Sequence, residues 1–169
     1  VQKILSADAV ALMTYDARRR TIATEMARGN VSPAIVERVF KSGDDVVGYV
    51  FASGEPVAFR DLHEGMEGLS GDAARNGLHS MLAVPLLARG RSIGVLTVFS
   101  AVEGAFNDDD MSMLQTFASQ ASLAIDTARL YSREHEVASL LQRSILPGAL
   151  PSVNATAGES LAVDSIILE

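Results

Sequence analysis

The sequence predicts an α/β (α+β) fold, with a central antiparallel sheet of about five to six strands flanked by helices. Three observations predict it. Apolar runs occur in pairs around polar turns, as in β-hairpins. Short amphipathic stretches bounded by glycine or proline lie between these pairs. Finally, apolar residues keep helical spacing from residue 107 to residue 146, which predicts a long C-terminal helix.

The composition fits one domain with an appendage. The chain has 169 residues, 48% of them hydrophobic, which is enough for a buried core. Its formal net charge of −7 disfavours a nucleic-acid or anionic-membrane surface, and no apolar run approaches the ~20 residues of a membrane span. No secretory signal is visible, and the absence of cysteine excludes disulfides, so a cytoplasmic protein is expected.

The first part of the chain predicts a hairpin and then a helix. The runs AVALMTY (9–15) and TIATEMARG (21–29) flank a polar turn, in which Arg18, Arg19 and Arg20 are expected to be a solvated hairpin tip. Ser32 and Pro33 suit the start of a helix. Its buried face is expected to carry four apolar residues, Ile35, Val36, Val39 and Phe40.

The middle of the chain predicts a second helix, a strand and another hairpin. GDDVVGYVFASGEP reads as a helix that ends at Gly54, and the segment 56–62 as a strand. Residues 63–78 are glycine-rich and predict a mobile cover segment with a short helix around Asp72–Asn76. The runs 80–87 and 93–99 form the clearest hairpin, and Pro85 indicates an edge or a bulge there.

The length of the last predicted helix indicates a dimer. Asn107 is a good N-cap, and the acidic residues 108–110 suit the first turn of a helix better than a metal site, because adjacent helical side chains diverge. The small sheet cannot cover so long a helix, and a second copy is the expected partner. The helix face expected to contact the second copy, here called the seam, consists of Leu114, Phe117, Ala121, Ala124, Ala128, Tyr131, His135, Ala138, Leu141 and Ile145.

Three stretches in this order resemble the GAF domain, a sensory α/β fold. They are VVGYVFASGEPVAFRDL, SMLAVPLLARGRSIGVLTVFS and AFNDDDMSMLQTFASQASLAIDTARLY, and the resemblance covers residues 1–131. The stretch SREHEVASLLQRSILPGALP is similar to the junction that leads from such sensors into bacterial PP2C-type serine/threonine phosphatases of the SpoIIE class. That resemblance implies a coiled-coil transmission helix at 132–146, with 147–169 a tail or the start of a downstream domain.

The GAF resemblance also implies a ligand site between the sheet and its cover. Carried over by position, the candidate ligand-binding residues are Phe59, Arg60, His63, Met66, His79, Met81 and Thr97. Each has a plainer interpretation. Met66 and Thr97 could fill core space, and Arg60 and His79 could be surface or structural groups.

The ligand is left unknown, although some classes are excluded. A covalent bilin and the methionine-sulfoxide reductase chemistry of some GAF proteins both need cysteine, which the chain lacks. The Asn-Lys…Phe…Asp-Glu pattern of members that bind cyclic nucleotides is missing. Haem would need an axial ligand such as His63 or His79, but a lone histidine is more often structural, so haem is not expected.

These observations predict a regulatory sensor rather than an enzyme. The chain would form a homodimer and relay the binding of a small molecule or a partner through its last helix to a downstream effector, with a PP2C-type phosphatase as the expected one. Two alternatives remain open. The domain could be a ligand-free dimerisation and docking module, or the sensor of a histidine kinase, in which His135 would be the phospho-acceptor.

Overall fold

The computed structural model describes residues 1–2, 5–62 and 68–145, with side chains described as far as Ser132. Its centre is a six-stranded antiparallel sheet with the strand order β3-β2-β1-β6-β5-β4, which confirms the predicted fold class. The strands are β1 (Ala9–Asp16), β2 (Thr21–Gly29), β3 (Val39–Phe40), β4 (Val57–Phe59), β5 (Ser80–Ala88) and β6 (Arg91–Ser100). The helices are α1 (Pro33–Val36), α2 (Asp45–Ser53), α3 (Gly68–Arg75) and α4 (Asp108–Ile145).

Both predicted hairpins are present, and they lie side by side. β1 pairs with β2 along its whole length and with β6 on its other side. In β5, Pro85 lies beyond the last residue paired with β4, which is Ala83, so its missing N–H breaks no hydrogen bond on that side. The predicted edge position of this proline is therefore correct.

The segment after β2 differs from its prediction. The helix α1 ends at Val36, and the next apolar pair, Val39 and Phe40, forms the edge strand β3 opposite Ile22 and Ala23. The single predicted helical face was therefore wrong: a side chain is buried at Ile35 and at Phe40, but Val39 is exposed. Pairing with the free edge of β2 outweighed a helical pattern only two turns long.

Each face of the sheet carries its own core. The first, here called the covered face, is closed by α1, α2 and α3 and includes Met13, Val95 and Phe99. The opposite face packs against the beginning of α4 and includes Leu82, Val84 and Val98. Since β-strand side chains alternate between faces, the continuous apolar runs of β5 and β6 supply both cores.

A reciprocal cap begins α4. Oδ1 of Asn107 accepts hydrogen bonds from the N–H groups of Asp109 (2.8 Å) and Asp110 (3.1 Å). In return, Oδ2 of Asp110 accepts from the N–H of Asn107 (2.9 Å). The prediction of a capped acidic first turn is confirmed, and the geometry is that of a capping box.

The predicted seam of α4 divides between two environments. Leu114 is completely buried against the sheet of its own domain, and Phe117 and Ala121 pack partly against the same core. Ala124, Ala128 and Tyr131 are exposed. The structure does not describe the side chains of the remaining seam residues, which are His135, Ala138, Leu141 and Ile145.

By its contacts the chain divides into two units, Val1–Tyr131 and Ser132–Glu169. In the second unit the described part is the continuation of α4 as far as Ile145. The predicted tail, residues 147–169, lies outside the described residues. Among the helices that the structure describes, none has the length and apolar character needed to cross a membrane.

Candidate functional site

The covered face is built from rows of directly paired residues. One row contains Phe59, Met81, Phe99 and Ala9, which lie opposite one another on β4, β5, β6 and β1. The next row has smaller side chains at its centre, because Ala83, Thr97 and Ala11 lie opposite one another there. All three are completely buried. The side chains of the covered face are thus shortest near its middle, where these three small residues adjoin one another.

Two of the predicted ligand residues, Met81 and Thr97, lie on this face in neighbouring rows and are completely buried. Phe59 is half-buried beside Met81. The hydroxyl of Thr97 donates to the carbonyl of Ala11 (3.2 Å), so it can only accept a hydrogen bond from any further group.

The other predicted residues are placed less centrally. Arg60 is exposed and its carbonyl accepts the N–H of Gly104 (2.8 Å). His79 is half-buried just before β5. Its N–H donates to the carbonyl of Ser100 (2.7 Å), and its carbonyl accepts the N–H of Leu62 (2.8 Å). His63 and Met66 lie outside the described residues. The structure therefore brings Phe59, Met81 and Thr97 together.

The cover helix α3 is attached at its start by Asp45, the first residue of α2. One carboxylate oxygen accepts the N–H of Leu69 (2.7 Å), and the other accepts the N–H of Val46 (2.5 Å). Gly68 has a φ of 72°, which favours glycine, and a Cβ there would also displace the Asp45 carboxylate. Asp45 therefore caps α3 from another helix.

The middle of α3 is attached through Asp72, which is 6% exposed. Its carboxylate accepts a hydrogen bond from Nε of Arg38 (2.7 Å), a residue that lies between α1 and β3. It also forms an ion pair with Arg75, one turn further along α3. A buried carboxylate with two guanidinium partners is electrostatically compensated, and loss of one partner would be costly.

The end of α3 is attached by a pair of asparagines. Asn30 donates from its side chain to the carbonyl of Asn76 (3.1 Å), and Asn76 donates back to the carbonyl of Asn30 (2.9 Å). These bonds join α3 to the segment between β2 and α1. The cover helix is thus attached at its start, middle and end by polar groups.

This arrangement determines which ligand charge the covered face can accommodate. The start of α3 is already occupied by the Asp45 carboxylate, which uses an N–H that would otherwise attract an anion. The Asp72 carboxylate is neutralised by Arg38 and Arg75. Beyond these charged groups, the described face offers apolar side chains and neutral hydroxyls such as that of Thr97, so the geometry suits a small uncharged molecule better than a phosphate-bearing one.

Sequence reasoning missed the residues that attach the cover. Asp45 lies at the start of its own helix, and nothing in the local pattern indicates that its carboxylate also accepts an N–H of α3. One signal was present in the sequence: Asn76-Gly77 is a typical turn pair, and Gly77 has a positive φ of 75°. The partners Arg38 and Asn30 carried no comparable signal, because their contacts span 34 and 46 residues.

A six-stranded antiparallel sheet with short helices over one face and a long helix on the other defines a mixed α/β domain. The sequence profile of the GAF domain matches residues 1–126. The chain belongs to the GAF domain family.

Proteins of diverse activity are similar to this chain. The GAF domain of a two-component sensor histidine kinase from Bacillus halodurans has a TM-score of 0.67 at 15% identity, covering 78% of this chain and 90% of that one. A free methionine-R-sulfoxide reductase from Neisseria meningitidis has a TM-score of 0.65 at 22% identity, with coverages of 77% and 74%. Likeness at these identities shows the shared fold.

A curated relative is the probable 3',5'-cyclic phosphodiesterase pde-5 of Caenorhabditis elegans, which is 26% identical over 78% of this chain. The chain spans 20% of the length of that relative. Its similarity therefore concerns one domain of a much longer protein.

Proposed function

We propose that this chain is the sensory module of a cytoplasmic signalling protein. A small uncharged molecule binds between the covered face and α3, and the resulting change is relayed through α4 to a downstream effector. The effector that we propose is a PP2C-type serine/threonine phosphatase, on the basis of the sequence resemblance at residues 132–151. The module itself carries no catalytic step in this proposal.

The observation that carries the proposal is the way in which α3 is attached. A typical hydrogen bond contributes only about 0.5–1.5 kcal/mol net to stability. The attachment at Asn76 is of this kind, whereas the bond from Leu69 goes to a charged carboxylate and is stronger, and Asp72 adds its ion pairs. The cover is therefore held by polar contacts that are separate from the hydrogen-bond ladder of the sheet. We propose that the small buried side chains beneath α3 leave room for a small molecule, since ligand sites are concave and mostly apolar.

The relay is supported by the two faces of α4. One face is fixed to the sheet through Leu114 and Ala118, and another presents Ala124, Ala128 and Tyr131 to solvent. We propose that a second copy of the chain covers this exposed face. A shift in the packing of two such helices is a known way to transmit a signal.

The first experiment measures thermal unfolding of the purified chain with a library of small uncharged metabolites. A ligand present at 100 times its Kd stabilises the folded state by about 2.7 kcal/mol. The control variant is Ala83→Leu, which places a larger side chain among the small residues at the middle of the covered face. Stabilisation by a metabolite in the natural chain, and its loss in a folded Ala83→Leu variant, is the expected result.

A ligand-free docking module is the second candidate, and the exposed face of α4 favours it. In that case the space beside Ala83 is already full. The Ala83→Leu substitution would then overpack the core and destabilise the domain by about 1–3 kcal/mol, with no metabolite effect in either chain. Unfolding by urea separates the two candidates, because only a site with spare volume accommodates leucine without this cost.

A further inference from the structure

We propose that one end of the sheet is a docking surface for a short acidic segment of another protein. The surface consists of five arginines, here called the arginine cluster: Arg18, Arg19, Arg20, Arg89 and Arg91. It is separate from the covered face, so the proposal goes beyond the sensory function.

The strand pairing brings the five arginines together. Thr14 near the end of β1 lies opposite Gly94 near the start of β6. The turn between β1 and β2 and the turn between β5 and β6 therefore leave the sheet at the same end. Residues about 70 positions apart in the sequence become neighbours, which the sequence pattern of a single hairpin tip does not reveal.

The cluster is largely uncompensated. All five arginines are exposed. Two carboxylates form ion pairs with it, Asp16 with Arg19 (3.8 Å) and Asp126 with Arg89 (3.0 Å). Among the residues that the structure describes, Arg18, Arg20 and Arg91 form no ion pair, so their guanidinium groups are available to a partner.

In each of the two turns, an arginine has a strained backbone conformation. Arg20 has a φ of 56° and Arg89 a φ of 51°, which is the left-handed region that glycine and asparagine adopt with less strain. Each hairpin tip thus holds an arginine where a less strained residue would suit the turn. Strain that is retained at a surface position is a reason to look for function there.

The charge balance favours a short acidic segment over a membrane or a nucleic acid. The whole chain carries −7, so the residues outside the five arginines carry −12. An extended anionic surface would be repelled by that remainder, whereas a short segment meets only the cluster. The four strands from β2 to β5 span about 14 Å, which matches an extended stretch of about four residues.

Guanidinium groups also suit this partner chemically. Their planar donor pairs match the two oxygens of a carboxylate, so aspartate and glutamate side chains can be bound in a bidentate manner. A partner bound here would compete with Asp126 for Arg89, and Asp126 lies on α4. The docking surface is thereby connected to the helix that leads to residues 132–145.

The test is fluorescence anisotropy of the full chain with a rhodamine-labelled hexaglutamate peptide and a hexaglutamine peptide as the uncharged control. Binding of hexaglutamate alone, weakened when the salt concentration rises from 0.05 to 0.2 M, is expected from a screened charge interaction. The variant R18Q/R91Q should weaken this binding at least about fivefold, because it removes two unpaired guanidinium groups and leaves the ion pairs in place.

The matched control is R28Q/R60Q, which removes two exposed arginines at the opposite end of the sheet. It should change the affinity less than about twofold. Equal weakening by the two variants, or no effect of either, would overturn the proposal. It would also be overturned if anionic vesicles or duplex DNA bind through Arg18 and Arg91 while hexaglutamate does not bind. Unchanged thermal unfolding of both variants shows that the fold is retained.

Discussion

At the scale of single residues, Asp45 has two structural roles. It starts α2 with a positive φ of 58°, and its carboxylate caps α3, which begins 23 residues later in the chain. Aspartate tolerates the left-handed region better than most residues, because its side chain bonds to nearby backbone. The residue therefore connects two of the three helices that close the covered face.

Replacement of Asp45 should separate its backbone effect from its side-chain effect. Asp45→Ala loses the cap and keeps a strained φ, so we expect a loss of about 1–3 kcal/mol in the free energy of unfolding. Asp45→Gly loses the same carboxylate but relieves the strain, and should be less destabilised by about 1 kcal/mol. Urea unfolding measures both, and equal losses would contradict a strained backbone at this position.

Asp16 should titrate at unusually low pH. Hydrogen bonds from the backbone N–H groups of Arg19 and Arg18 hold the pKa of its carboxyl below the ordinary value of 3.8. The folded pKa is depressed, so the stabilisation is present above the unfolded value and is lost as the pH falls through the folded one. Carbon-13 NMR of the Asp16 carboxyl should give a lower midpoint than the same residue in a peptide of residues 12–22.

The matched variant for that titration is Asp16→Asn. Its urea midpoint should approach that of the natural chain as the pH falls from about 3.8 through the lower folded pKa, because below that pKa Asp16 is uncharged in the folded chain as well. A midpoint for Asp16 at or above the peptide value would show that the turn does not hold the charged form.

At the scale of elements, α4 shows how one helix serves two purposes. Its spacing predicted a single seam, but the structure assigns the beginning of that seam to the core of its own domain. Two leucines of this helix illustrate the difference, since Leu114 is 0% exposed and Leu123 is 69% exposed. Helical periodicity locates an apolar face but does not identify what covers it.

These two leucines give a matched stability test. Leu114→Ala should lower the free energy of unfolding by about 2–5 kcal/mol, because it leaves a cavity against the sheet. Leu123→Ala should change it by less than about 0.5 kcal/mol, as expected for an exposed site. Urea unfolding decides, and comparable losses at the two positions would contradict the burial seen for α4.

The exposed part of the seam gives a test of the proposed dimer. Ala128→Glu places a charge on that face and should raise the dimer dissociation constant at least about tenfold, which sedimentation velocity measures over a concentration series. The control is Gln115→Glu, an equal charge change roughly 140° away around the helix. A monomeric natural chain, or equal effects of both substitutions, would contradict a dimer through this face.

At the scale of the whole molecule, every described core residue precedes Asp126 in the chain, within the unit Val1–Tyr131. A fragment of residues 1–131 should therefore unfold cooperatively, with a Tm within about 4 °C of that of the full chain, which corresponds to less than about 1 kcal/mol. Circular dichroism at low protein concentration measures this without a contribution from association. A fragment that lacks a cooperative transition would show that the core needs residues beyond 131.

Much of the fold could be predicted from local sequence. The hairpin around Arg89-Gly90 and the cap at Asn107 depend on residues close together in the chain, and both were predicted with nearly correct limits. The strand β3 was missed because its pairing with β2 is decided by a sheet edge that the local pattern of Val39 and Phe40 does not show. Of the candidate ligand residues, Met81 and Thr97 were carried over by position from the GAF resemblance and are buried, whereas the attachment of α3 was not predicted.

The sequence by itself determined the fold class, the family and the existence of a long capped helix, because periodicity, turn residues and caps act over a few residues. Only the tertiary structure decided how the cover is attached and where the arginines meet. Asn30 and Asn76 are joined by hydrogen bonds between a loop and the end of α3, and strand order places the turns that carry Arg20 and Arg91 at one end of the sheet; no local preference determines either. Contacts of this kind form when distant segments are brought together by burial of the two cores, and this is why a local pattern does not encode them.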